Sequence, residues 1–244
     1  MKKKALIITD NFKICSKINQ INQILGIDSE FSFATSIYSS IKDFNLSDRY
    51  LKQYNLKKDN DVEEIINNYE MVFSIHSKQI FPKILIDSCK CYNLHPGYIP
   101  INRGWYPQVF AIINNTPVGA TFHEIDENLD LGRIIDREFV KKESWDTSFT
   151  LYNKIVNKEL ELWERNILNV LKGDYMTIEP ENNGSIYFKK DFYNLLKLDL
   201  NEKVTVKQFI DRLRALTFDS YDNLFFIDEN GQKVYVSINL KKGE

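Results

Sequence analysis

Short apolar runs alternate with amphipathic stretches along the first half of the chain. Lys4 to Ile8 is apolar and is followed by Thr9, Asp10 and Asn11, which predicts a buried strand and then a turn. Ile14, Ile18, Ile21 and Ile24 recur at helical spacing, so a helix should follow, capped by Asp10 or Asn11 and ending near Leu25. Phe31 to Ala34, Met71 to Ile75 and Cys91 to Leu94 read as further strands. Val62 to Tyr69 and Phe81 to Ser88 read as helices between them, and residues 40–60 as polar surface loop with some helix. Regular alternation of strand and helix predicts an α/β fold with a doubly wound, mostly parallel sheet. Such sheets take their ligands beyond the carboxyl ends of the strands. Two polar segments stand there, His76-Ser77-Lys78 and His95-Pro96-Gly97. Neither a G-x-G-x-x-G run after the first strand nor a G-x-x-x-x-G-K-[ST] run is present.

Tyr106 to Asn114 has helical patterning, and Val118 to Ile125 and Arg133 to Val140 read as strands joined by the acidic loop Asp126 to Gly132. A long helix should run from about Thr147 to Lys172, stopped by Gly173. The pattern then changes. Met176 to Glu181 and Asn182-Asn183-Gly184 read as a connection to a small module with a helix over Thr205 to Leu216. Its strands are Leu224 to Ile227 and Lys233 to Leu240, with Asn230-Gly231 as a two-residue hairpin turn. The domain reading is therefore a main domain over 1–180 and a C-terminal helix-plus-hairpin module over 181–244. About sixty residues of that kind make a thin core alone. The edge strand from Lys233, apolar at alternate positions, needs cover, so the module should pack on the main domain or form a homodimer.

Composition narrows the partners. The chain has 244 residues, with 32 Lys+Arg against 34 Asp+Glu and a formal net charge of -2, so no global basic field draws it to nucleic acid or anionic lipid. The basic start is followed by too short an apolar run for a signal peptide, and no stretch is long enough for a membrane span. Three cysteines without C-x-x-C spacing fit small buried side chains in a reducing compartment. A cytoplasmic location is expected.

The three histidines, His76, His95 and His123, show no metal-site spacing, and the acidic loop lacks the order of a calcium loop. No metal is expected. His123 lies mid-strand and reads as structural or peripheral. Asn93 and His95 alternate with Leu94, so both project from one face of their strand at its carboxyl end. An amide beside an imidazole suits a carbonyl reaction that forms an oxyanion.

The run Asn93-Leu94-His95-Pro96-Gly97-Tyr98-Ile99-Pro100, with Asn102-Arg103-Gly104 after it, resembles the active-site loop of the formyltetrahydrofolate-dependent formyltransferases. Val118-Gly119-Ala120-Thr121-Phe122-His123 and then Asp130-Leu131-Gly132 match that family's later motifs in order. Within it, Asn102 to Phe110 and Arg214 to Phe218 are similar to the bacterial nucleotide-sugar N-formyltransferases. Gly97 stands where many tRNA and purine-pathway relatives have Ser.

The resemblance implies a Rossmann-like formyltransferase core and a catalytic triad of Asn93, His95 and Asp130. It implies N10-formyltetrahydrofolate as cosubstrate and a dTDP-linked amino-dideoxy sugar as acceptor, for O-antigen or other surface polysaccharide. In that chemistry the Asn93 amide NH₂ and a protonated His95 would donate to the oxyanion, with Asp130 as the partner of His95. Lys78 and Arg103 are candidates to meet a diphosphate, and Trp105 and Tyr106 to line the sugar pocket. Phe218 and Tyr221 are candidates to flank the base, and Tyr98, Asn102 and Gly104 complete the substrate-binding set. Methionyl-tRNA formylation is the alternative enzyme, disfavoured by the small tail and the net charge. A non-catalytic folate or nucleotide-sugar binding protein is the alternative of a different class.

Overall fold

Ala5, Leu6, Ile7 and Ile8 are all fully buried, because their strand lies inside a sheet covered on both faces. The computed structural model describes residues 3–40, 51–181 and 184–243. Its first elements are β1 (Lys3–Thr9), α1 (Phe12–Ile24), β2 (Phe31–Ser36), β3 (Lys52–Tyr54), α2 (Asp59–Asn68), β4 (Tyr69–Ile75), α3 (Lys83–Ser88) and β5 (Lys90–His95). Then come β6 (Arg103–Gly104), α4 (Pro107–Ile113), β7 (Gly119–Glu124), β8 (Ile134–Phe139) and α5 (Ser148–Lys172). The last are β9 (Ile186–Tyr187), α6 (Lys189–Leu195), α7 (Val206–Leu216), β10 (Phe225–Ile227) and β11 (Lys233–Tyr235).

Seven strands form one sheet in the order β3-β2-β1-β4-β5-β7-β8. The pairs from β3 to β5 are parallel, and β7 runs antiparallel to β5. The doubly wound, mostly parallel sheet expected from the alternation is therefore present. Side-chain alternation divides its core into two layers. Leu6, Ile8, Val72 and Cys91 pack with Val62, Ile65 and Leu85 from α2 and α3. Phe73 turns the other way, stacks on Tyr92 at 4.9 Å and meets Trp163 of α5 edge-on at 5.2 Å. Phe31 and Phe122 close around the same indole, whose Nε1–H donates to Asn22 Oδ1 at 2.9 Å.

Contacts divide the chain into two compact units. The first runs through His95 and adds Thr121–Arg137 and Glu159–Pro180. The second comprises Pro96–Ala120, Glu138–Lys158 and the chain from Glu181 onward. In the second unit α4 packs against α7. Arg214, buried, donates to the carbonyls of Asp146, Ser144 and Glu143, so the basic residue of the Arg214 to Phe218 run ties α7 to the segment before α5.

Several local expectations differ from the structure. Asn11 caps α1, accepting from the Ile14 amide, while Asp10 instead accepts from Ser36 and Lys78. β3 falls inside the segment read as loop with some helix. It is three polar-rich residues long, held by β2 and by Gln53, which donates to the Ser36 and Ser39 carbonyls. Residues 41–50 of that segment, and Asn182-Asn183 of the expected connection, lie outside the described residues. The hairpin does not turn on two residues. Asp228 and Gln232 close it, Gly231 N–H donates to the Asp228 carbonyl, and Gly231 takes φ +77. A positive φ at Asn230 as well as Gly231, which a two-residue turn of this kind needs, is absent. β11 ends at Tyr235 rather than Leu240.

Trp163 packs α5 against three aromatic rings of the sheet, Phe31, Phe73 and Phe122. Trp163→Ala should destabilise the protein by about 3–5 kcal/mol, measured as a lowered urea midpoint.

Candidate active site

The geometry begins with an antiparallel pair in the sheet. β7 lies beside β5 so that His123 is opposite Asn93 and Thr121 is opposite His95. The next segment must return to the same place. Glu124 N–H donates to the Arg133 carbonyl at 2.9 Å, closing the acidic loop. Gly132 makes that closure possible, because a Cβ there would lie 1.8 Å from the Glu124 carbonyl oxygen. Asp130 takes a left-handed φ of 49°, a conformation that Asp tolerates better than most residues, and its side chain turns back over β5.

Asn93, His95 and Asp130 are thus brought together within the first unit. Asn93 Nδ2 donates to Asp130 Oδ1 at 3.1 Å. His95 Nδ1 lies 3.8 Å from Asp130 Oδ2, inside ion-pair range and beyond a direct hydrogen bond. His95 is buried, and its Nε2 takes no hydrogen bond among the described residues.

His123 is a member of this cluster that sequence reasoning set aside. It is 1% exposed, and its Nδ1 lies 2.6 Å from the Glu124 carbonyl oxygen, so Nδ1 carries the proton. Burial pushes its pKa down to about 4, against the opposing pull of Asp130, so the ring is neutral at neutral pH and Nε2 is an acceptor. Asn93 Nδ2 fills that acceptor at 3.2 Å. Both amide hydrogens of Asn93 are therefore engaged, one by Asp130 and one by His123. Antiparallel pairing of β5 and β7 was the missing signal.

The other segment at the strand ends is differently built. His76, at φ 55, places Nε2 2.8 and 3.0 Å from the two carboxylate oxygens of Glu159, which is completely buried. The pair gives a buried carboxylate the partner it requires. Lys78 is exposed. Its amide donates to Asp10 Oδ2 and its Nζ lies 3.5 Å from Ser39 Oγ. Among the described residues no group of three or more His, Cys, Asp or Glu is placed to hold a metal ion.

The remaining candidates lie in the second unit. Tyr98 stacks on Phe139, with ring centroids 3.6 Å apart. Asn102 is buried at φ 55 and donates to Thr116 Oγ1 and the Pro117 carbonyl, so its carboxamide holds the loop together. Arg103 and Gly104 form β6 and pair with β9. Trp105 and Tyr106 join Phe192, with Lys189 Nζ 5.4 Å from the indole centroid. Phe218 packs edge-on against Phe149, Tyr152 and Tyr221. The two aromatic groups are separate clusters.

Comparison with known proteins agrees with this geometry. The dTDP-4-amino-4,6-dideoxyglucose formyltransferase of Mycobacterium tuberculosis is 46% identical over 180 residues, covering 74% of this chain and 77% of that one. The chain belongs to the sugar N-formyltransferases. A crystal structure of a 4-N formyltransferase from Francisella tularensis shares 38% identity and a TM-score of 0.89 over 98% of both chains. A sugar N-formyltransferase from a Shewanella species shares 32% identity and a TM-score of 0.93 over 99% of both. Residues 191–242 match the N-formyltransferase dimerization C-terminal domain. The protein is accordingly an N-formyltransferase with the fold of this family along nearly its whole length.

Gly132→Ala should force the loop carrying Asp130 off the end of β7. The expected result is a loss of about 1–3 kcal/mol in a thermal melt together with slower formyl transfer. Gly243→Ala, whose Cβ meets nothing within 4 Å, serves as the control and should match the parent in both.

Proposed function

We propose that this sugar N-formyltransferase moves the formyl group of N10-formyltetrahydrofolate to the amino group of a dTDP-linked amino-dideoxy sugar. The acceptor read here is dTDP-4-amino-4,6-dideoxyglucose, and the product serves O-antigen or other surface-polysaccharide assembly in the cytoplasm. The acceptor is supported by the 46% identical mycobacterial relative and by the Francisella 4-N enzyme. The observation that carries the chemistry is the buried, unfilled Nε2 of His95 beside the Asp130 carboxylate. A buried polar atom without a partner costs about 1–3 kcal/mol, and the formyl oxygen of a bound cosubstrate would fill it.

N10-formyltetrahydrofolate supplies an activated formyl carbon. The neutral sugar amine attacks that carbon, the C–N10 bond breaks, and the proton lost by the amine ends on N10. His95, protonated at Nε2, donates to the formyl oxygen as negative charge gathers there. Asp130 Oδ2 lies 3.8 Å from its Nδ1. Lys78 and Arg103 are read as diphosphate contacts, Trp105 and Tyr106 as sugar contacts, and Phe218 and Tyr221 as base contacts, with Tyr98, Asn102 and Gly104 shaping the loop.

Residues 181–244 are read as the accessory and dimerisation module, on the family match at 191–242. Tyr193, Val206, Phe209 and Tyr235 are large apolar side chains exposed on it. No helix among the described residues is long and apolar enough to cross a membrane.

Mass spectrometry of the enzyme with N10-formyltetrahydrofolate and a panel of dTDP- and UDP-linked 3-amino and 4-amino sugars tests the reading. A formyl mass gain on the dTDP-linked 4-amino sugar is expected, and a gain confined to another sugar overturns the acceptor. His95→Asn should lower turnover by at least about 100-fold with an unchanged circular dichroism spectrum. Light scattering at micromolar concentration should give the mass of two chains. A monomer mass would remove the dimerisation reading.

A further inference from the structure

The loop that carries Asp130 is exposed from Asp126 to Leu129, so its feet are where the fold can hold it. Lys83 reaches across to pair with Glu127, but both side chains are exposed and such a pair is weak. One foot is Glu124, at the end of β7, and the other is Arg133 and Ile134, at the start of β8. Both feet are tied to one short strap, residues 175–179. α5 ends at Lys172, and Gly173 takes φ +75 while the amides of Gly173 and Asp174 donate to the Val170 and Asn169 carbonyls. The chain then turns back toward β8. At the first foot Tyr175 Oη donates to Glu124 Oε1 at 2.8 Å and lies 3.0 Å from Tyr92 Oη on β5. The one hydroxyl proton of Tyr175 is given to the carboxylate, so Tyr92 is the donor between the two phenols. Burial raises the pKa of both, which keeps both protonated. At the second foot Ile134 and Ile178 exchange both backbone hydrogen bonds, each 2.8 Å long. β8 is the last strand of its sheet, and this exchange covers its outer edge where the loop enters it. Arg133 adds Nε to Thr177 Oγ1 at 2.7 Å and an ion pair with Glu179 at 2.7 Å.

We propose that residues 175–179 are a positioning strap of the formyl-transfer site: by holding both feet of the loop they keep the Asp130 carboxylate in place beside Asn93 and His95. The proposal rests on the formyl-transfer reading above. Asp130 stands 3.1 Å from Asn93 and 3.8 Å from His95, and it does so at a left-handed φ. Such a conformation persists only where its surroundings over-determine it. The strap is the part of those surroundings that comes from outside the β7–β8 connection. A displacement of about 1 Å at a reacting group can lower a rate by about 100-fold. The strap needs no contact with either substrate for this. It acts through Asp130, so its release should appear in kcat and leave both KM values nearly unchanged.

Three variants test it. Ile178→Pro removes the amide given to the Ile134 carbonyl, at a residue whose side chain is exposed. Tyr175→Phe removes one hydroxyl from the first foot. Met176→Ala is the control, because Met176 lies in the strap with its side chain 89% exposed. Each is compared with the parent in steady-state formyl transfer and in hydrogen exchange over residues 124–134. Ile178→Pro should exchange faster across that segment and lower kcat by about 10- to 100-fold, with both KM values within about twofold. Tyr175→Phe should show the same pattern with a smaller loss, and Met176→Ala should match the parent. In an Asp130→Asn background Ile178→Pro should lower kcat by no more than about twofold further, because the strap works through that carboxylate. A thermal melt accompanies each variant. If Ile178→Pro does not fold, Tyr175→Phe and its combination with Asp130→Asn carry the test. Unchanged exchange, an unchanged kcat, or an equal loss in the Asp130→Asn background would overturn the proposal. A parent enzyme that formylates no amine would instead remove the reading beneath it, and the exchange result would still report whether the strap holds the loop.

Discussion

One carboxylate, one carboxamide and two imidazoles share a nearly dry space at the end of β5, and strand direction puts them there. The constraint is directional. A parallel neighbour in place of β7 would offer a different hydrogen-bond pattern and would start the following loop at the carboxyl end of β5. Because β7 runs against β5, His123 faces Asn93 across the pair, and the loop after β7 starts at the opposite end from the catalytic turn. Gly132 then lets the chain fold back on the Glu124 carbonyl, and the left-handed Asp130 aims its carboxylate over the strand. Strand direction, a missing Cβ and one positive φ together set distances of 3.1 and 3.8 Å.

Charge accounting explains why the two histidines differ. A buried carboxylate can support one imidazolium well, but two cations beside one anion would leave net charge in a poorly solvated place. His123 avoids that cost by staying neutral. Its Nδ1–H has a backbone carbonyl, its Nε2 has an amide donor, and burial opposes protonation. His95 has one nitrogen toward Asp130 and the other unfilled. The same logic accounts for His76 and Glu159, where a fully buried carboxylate receives a single imidazole. That pair sits at the carboxyl end of β4 and fixes the turn that leads to Lys78.

Much of this was legible from residue order. The strand at Lys4 to Ile8, the alternation that puts Asn93 and His95 on one face, and the glycine two residues beyond Asp130 all translate directly into structure. Periodicity reports burial on one element, and it worked where burial was strong. It failed where structure depends on partners. β3 is a polar edge strand recognised only by its neighbour, and β6 and β9 are two residues each and exist because they pair with one another. His123 looked peripheral because alternation along β7 says which face it takes, but not what stands opposite. Residue type gives an amide both a donor and an acceptor, and only the partners decide which is spent.

The loop after β5 shows how a sequence motif can encode backbone geometry as much as chemistry. Gly104 takes φ +86 with the Tyr187 carbonyl oxygen 2.3 Å from where a Cβ would be. Gly184 comes so close to Pro100 that a Cβ would fall 1.6 Å from its carbonyl oxygen. Asn102 and Tyr106 both hold left-handed conformations, and Asn102 commits its side chain to Thr116 and Pro117. Such a backbone is costly for non-glycine residues and persists only where its surroundings over-determine it. Here the surroundings are a two-residue parallel pairing with Ile186 and Tyr187 and a stack of Phe110 on Tyr187 at 3.8 Å. The segment just before α6 thus shapes the loop that carries Tyr98 and Arg103. The shape of this loop therefore depends on residues far along the chain.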